Sequence, residues 1–229
     1  MADTLVAKID GTRLFLLFAT ALAILFFWDS QALYPVRIMV VFFHEMSHAL
    51  AGLLTGGEVI EISVVEQEGG HTLIRGGSRF FTLSAGYLGS MLWGGALLLS
   101  ATRASLVRPT TVALGAILVG VALTLVEPTG SFGFWFAIII GAALLAIGIK
   151  LHEGINELVL SVIGMTSCLY AIYDIKSDVL DRPHLRSDAR MLADHTGVPT
   201  EVWGVIWIAL AVILGATFAI LASRRDRAW

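Results

Sequence analysis

Seven stretches of the chain are apolar almost without interruption: 14–28, 32–54, 80–101, 110–126, 132–149, 155–173 and 202–222. Most have the length that a helix needs to cross a hydrocarbon core, and the first is short. Between them, 103–109, 127–131 and 150–154 read as connecting turns, too short to fold by themselves. The pattern predicts an all-α polytopic membrane protein of about seven transmembrane helices. It forms a single membrane domain over 1–229, without internal repeats or low-complexity linkers.

Two segments break the apolar pattern. Residues 56–79 follow the second span directly. Val59 to Val65 are rich in β-branched side chains and partly alternate, Glu68-Gly69-Gly70 is a turn signal, and His71 to Arg75 can return as a second strand. The expectation is a short extramembrane β-hairpin, either a plain connector or an exposed edge that holds an extended peptide by strand addition. In the second segment, 174–200, Asp174, Asp178 and Asp181 recur at helical spacing. The sixth helix is therefore expected to run on with one acidic face until Arg182-Pro183 ends it. Ser187 can cap a short helix that Gly197 and Pro199 close, and Thr200 can cap the last span.

Composition sharpens this picture. Hydrophobic residues make up 57% of the chain and charged residues 14%, with a mean hydropathy of +0.83. A soluble domain would carry nearer a quarter charged residues. A net charge of −3 argues against a nucleic-acid partner. Cys168 is the only cysteine, which excludes an intrachain disulfide and suits a small packing residue. The run 14–28 lacks a small-x-small cleavage pattern and reads as a retained span. Short basic loops and the arginines at 224, 225 and 227 favour a cytoplasmic C-terminus.

The candidate chemistry lies inside the second apolar run, at His44-Glu45-Met46-Ser47-His48-Ala49-Leu50. On a helix, His44 and His48 stand one turn apart on the same face. Two imidazoles at that spacing can bind one Zn²⁺, and the glutamate after the first is placed to take a proton from metal-activated water. Ionisable groups at that depth are costly unless they have partners, so a functional site is the default reading. With only six histidines in the chain, chance supplies this motif roughly once in a hundred such sequences. His152-Glu153 lacks the second histidine and reads as a solvated membrane edge.

A catalytic zinc usually takes three protein ligands and keeps one position for water. Glu127, His152 and Glu153 fall in short turns, and His71 reaches the metal only if the hairpin folds inward. Asp174 ends an apolar helix on the face that carries Ser167 and Tyr170, and it is the first choice. Asp178, a turn further out, is second and Asp188 third, while Asp181 belongs to a solvated acidic face.

These residues resemble a known superfamily. The metal motif inside a span, the hairpin after it and Ala85-Gly86-Tyr87-Leu88-Gly89 in the next span are similar to the site-2 proteases, which are intramembrane zinc metalloproteases. The closer resemblance is to the peptidase M50B-like branch. It is carried by His44 to Leu50, Gly86 to Gly89, Ser167 to Tyr170 with Tyr173-Asp174-Ile175, Ser187-Asp188-Ala189, and Trp203 to Trp207. The resemblance implies zinc ligation by His44 and His48, Glu45 as general base, and a membrane-embedded or membrane-near protein substrate in the lipid bilayer. In that superfamily the third ligand is an aspartate on a later span, usually before glycine; here Tyr173-Asp174-Ile175 takes that place. Two other classes remain: a catalytically inactive zinc-binding scaffold or partner-binding protein, and a metal transporter. The transporter ranks last, because the chain has one tight cluster and no histidine-rich loop.

Overall fold

The computed structural model describes residues 9–181 and 186–224. The helices are α1 (Gly11–Phe26), α2 (Tyr34–Leu54), α3 (Arg79–Ala101), α4 (Ala104–Thr124), α5 (Phe132–Lys150), α6 (Glu153–Lys176), α7 (Asp188–Thr196) and α8 (Thr200–Ala222). A two-stranded antiparallel sheet, β1 (Glu58–Val65) and β2 (Gly69–Arg75), joins α2 to α3. Among the described residues, six helices are long and apolar enough to cross a membrane; α1, at 16 residues, is shorter. This is an integral, multi-pass membrane architecture.

The boundaries follow local chemistry. Pro35 sits in the first turn of α2, where its missing N–H leaves no bond unmade. Gly56, at φ 84°, turns the chain out of that helix. Asp10 caps α1 and Ser131 caps α5. The expected turn at 103–109 is mostly helix, because α4 begins at Ala104 and carries Pro109 inside it. Arg108 holds that start in place: its Nε donates to the Gly148 carbonyl (3.1 Å) and its Nη2 to Ile149 (2.5 Å), at the end of α5. The cation thus meets the carbonyls that a helix C-terminus leaves unpaired.

Beyond Tyr173 the sixth helix continues to Lys176 and then winds through a π-helical turn, Ser177–Asp181. The expected stop at Arg182-Pro183 lies outside the described residues. Ser187 caps α7, and Gly197, at φ 75°, ends it. Thr200 is the first residue of α8 rather than its cap; Pro199 holds the cap position.

Two buried clusters share α3 and α6. One packs α2, β1, α4 and α5 around Phe42, Ile62 and Leu118; the other packs α1, α7 and α8 around Tyr87, Ile175 and Trp207. Small residues set the distance between α3 and α6. A Cβ on Gly94 would meet the Gly164 carbonyl at 2.7 Å, and a Cβ on Gly164 would meet the Gly94 carbonyl at 2.7 Å. Close backbone approach through small residues is how helices associate in lipid.

The hairpin does not hang beyond the end of α2 as a separate extramembrane lobe. It folds back along that helix. Thr72 meets Glu45 in the middle of α2, and the tip reaches the first turns: Tyr34 Oη donates to the Glu66 carbonyl (2.8 Å), and Arg37 forms a two-pronged ion pair with Glu68 (2.7 and 2.8 Å). Arg37 also donates to the Trp28 carbonyl. The turn is Glu66 to Glu68, with Glu68 at φ 60°, so Gly69 and Gly70 belong to β2 rather than to the turn. The other edge of β1 is bonded at one residue: Ile62 N–H donates to the Leu125 carbonyl (2.7 Å), and Glu127 N–H donates to the Ile62 carbonyl (3.1 Å).

Because the Gly94–Gly164 contact leaves no room for a methyl, Gly94→Val should force α3 and α6 apart and destabilise the fold by about 1–3 kcal/mol. Thermal unfolding in detergent should show a lower midpoint for Gly94→Val than for the wild type.

Candidate metal centre

α2 presents both imidazoles to the bundle interior. His48 Nδ1 lies 2.7 Å from the Thr82 carbonyl. A carbonyl only accepts, so Nδ1 carries the proton and Nε2 is left to face the centre. His44 turns its Nε2 the same way, and its Nδ1 lies 3.8 Å from Asp174 Oδ2. Into the space before the two Nε2 atoms comes Asp188, whose Oδ2 lies 2.9 Å from His44 Nε2 and 3.0 Å from His48 Nε2. Ligand-type atoms of the three side chains all fall within 4.8 Å of one another.

Asp188 gets there because α7 packs back onto the bundle. Ala189 and Leu192 are fully buried, Ser187 caps the helix start, and Asp188 occupies its first position. Burial by itself would raise the Asp188 carboxyl, but the two imidazoles outweigh that and hold it below the usual carboxylate range.

The donor set fits a divalent cation. Without one, His48 meets the Thr82 carbonyl and the Asp188 carboxylate together only by carrying a proton on each nitrogen, since both partners are acceptors. A cation held by Asp188 and the two imidazoles would take the place of such protons. Gly86 of α3 gives the second test. A Cβ there would lie 2.3 Å from His44 Nε2 and 2.7 Å from His48 Nε2, so any larger residue would crowd both donor nitrogens. Beside it, the Tyr87 ring packs edge-on against His44, at 5.0 Å between centroids.

Glu45, next to His44, turns toward the hairpin and is buried. Thr72 Oγ1 lies 2.8 Å from Glu45 Oε2 and 3.0 Å from the Glu45 carbonyl. Of the other candidates, Asp174 stands at the second nitrogen of His44 rather than in front of the Nε2 pair. Asp178 accepts from Tyr87 Oη at 2.6 Å. His71 lies on the outward face of β2, 63% exposed and paired with Glu61 at 3.3 Å. Asp181 pairs with Lys176 (2.8 Å), and Cys168 is buried against the Met91 carbonyl. Thr82, Thr72, Arg37 and Glu68 were not singled out from the sequence. Only the buried arginine carries a sequence signal: it lies seven residues before His44, on the same helical face.

An apolar groove of about 560 Å³ runs between α2 and α3 past Leu50, Leu54, Phe81 and Leu88, and its lining includes none of the three clustered side chains.

The family model described as Peptidase M50B-like matches residues 17–218. No curated protein and no solved structure matches the chain.

Because a methyl on Gly86 would crowd both donor nitrogens, Gly86→Ala should remove bound divalent metal. Elemental analysis should show the loss while circular dichroism shows the helical content unchanged.

Proposed function

Because this chain belongs to the Peptidase M50B-like family, we propose that it is an intramembrane zinc metalloprotease that hydrolyses peptide bonds in or near the bilayer. The observation that carries this reading is the convergence of His44, His48 and Asp188 on one point. In the proposed centre these three would hold Zn²⁺, two imidazoles and one carboxylate being a donor set that suits it. When bound, the metal supplies Lewis acidity, polarising a carbonyl and bringing the pKa of water to about 7.

The chain's own residues do the rest. Glu45 takes the proton of the attacking water on its carboxylate. It then returns that proton to the amine nitrogen as the C–N bond breaks. The Thr82 carbonyl fixes the tautomer of His48 by a hydrogen bond, and the Asp174 carboxylate, 3.8 Å from His44 Nδ1, acts on His44 as a neighbouring charge. A transmembrane helix hides its amide bonds, so the substrate unwinds before cleavage. The outer edge of β2 has no strand partner among the described residues, which suits it to pair with the unwound segment.

Purified protein should hold about one Zn²⁺ per chain, and His44→Ala should lose it. Glu45→Gln should keep the metal and the fold while losing cleavage of fluorescein-labelled casein and of a single-span peptide reporter in proteoliposomes. Wild-type rates in Glu45→Gln would overturn the hydrolytic mechanism, and equal zinc in wild type and His44→Ala would overturn the centre.

The two aspartates near His44 should separate in a chelator titration. Asp188→Ala should strip the metal at the lowest chelator concentration. Asp174→Ala should weaken binding on the order of 10–100-fold, as loss of an orienting partner does. The reverse order would make Asp174 the ligand.

A further inference from the structure

We propose that the hairpin is part of the catalytic centre, with Thr72 as the residue that positions the general base. The inference rests on Glu45 having that role. The Glu45 side chain turns to a different element, where Thr72 Oγ1 lies 2.8 Å from Oε2 and 3.0 Å from the Glu45 carbonyl; its one proton goes to the nearer, charged acceptor. The same strand closes over the carboxylate from a second position. A Cβ on Gly70 would lie 2.7 Å from Glu45 Oε1, so both carboxylate oxygens lie against β2.

The strand is fixed firmly enough to do this. Thr72 pairs across the sheet with Ile62, and Ile62 is bonded on its far side to Leu125 and Glu127. At the tip, Glu68 holds a positive φ, uncommon for a residue with a side chain. Its carboxylate is gripped by both prongs of the Arg37 guanidinium. Arg37 lies two helical turns before His44 on α2. The ion pair therefore ties the sheet to the helix that carries both histidines. A carboxylate that must take a proton and give it back gains from being held in one orientation, and the donor that holds it belongs to β2.

Thr72→Val removes the donor and keeps the shape and the strand preference; Thr72→Ser keeps the donor. Three quantities are to be compared: zinc content, cleavage of fluorescein-labelled casein, and affinity for a peptidyl hydroxamate, which ligates the metal and gives its proton to the neighbouring glutamate. Thr72→Val should retain zinc, lower kcat about 10- to 100-fold with KM little changed, and weaken hydroxamate binding about tenfold. Thr72→Ser should restore both to within about twofold of wild type. If Glu45→Gln loses turnover and hydroxamate affinity but Thr72→Val behaves as wild type, the positioning role is wrong and the protease reading stands. If Glu45→Gln changes neither quantity, both fall. A Thr72→Val protein that loses zinc or fails to be rescued by serine would mark a merely structural residue and would also overturn the inference.

Discussion

The contact on which the surrounding architecture depends is the Asp188 carboxylate set between two imidazoles. Each group alone would be expensive inside an apolar bundle. Together they compensate one another, and the compensation constrains three helices at once. α2 must present His44 and His48 on one face. α3 must come close enough for the Thr82 carbonyl to accept from His48, which is possible only because Gly86 has no side chain. α7 must fold back so that its first residue reaches the centre, which it does by burying Ala189 and Leu192. A bundle with these spans in another arrangement would strand at least one charged or polar group without a partner.

The hairpin meets the same constraint with backbone rather than side chains. Chain that is not helical and lies alongside an apolar helix must have its N–H and C=O groups paired. β1 does this along one edge with β2, and at Ile62 on the other with Leu125 and Glu127. Charged side chains then hold the tip down. Arg37 is nearly buried and Glu68 partly so, and truncating either partner would leave the other charge poorly compensated. The tip is thus held by an interaction that is costly to break from one side, which keeps β2 in register against Glu45.

Much of this was legible in the chain. Long apolar runs gave the spans, because the solvent they face demands length and little else. The β-branched cluster 59–65 and the Ser187 cap marked the hairpin and α7 for equally local reasons. The start of α4 was not legible, since Pro109 reads as a breaker until Arg108 is seen tying the helix to the end of α5. The hairpin turn lay two residues earlier than the Glu68-Gly69-Gly70 signal suggested, because Glu68 takes the left-handed conformation that glycine would ordinarily fill. The place of the aspartates turned on tertiary structure. Depth along α6 favoured Asp174, and the chain does bring it to His44, but to Nδ1. Asp188 follows a break in the helix, and nothing local indicates that α7 returns to the bundle except the apolar pair Ala189 and Leu192 on one side of a short polar helix.

Glu45 sits where these two solutions meet. Its helix belongs to the histidine–aspartate centre and its carboxylate to the sheet. In the proposed reaction an unwound peptide brings unpaired amides into a medium that cannot hydrate them, a cost of several kcal/mol for each unsatisfied group. In that proposal the unpartnered edge of the strand that holds Glu45 would answer this cost. The arrangement would then link two requirements that a soluble metalloprotease can meet separately: the element that satisfies the substrate's backbone would be the same one that orients the group moving the proton. A peptide seated on β2 would find its scissile bond and the base registered to a common strand, so loss of that strand's register would impair substrate pairing and proton transfer together.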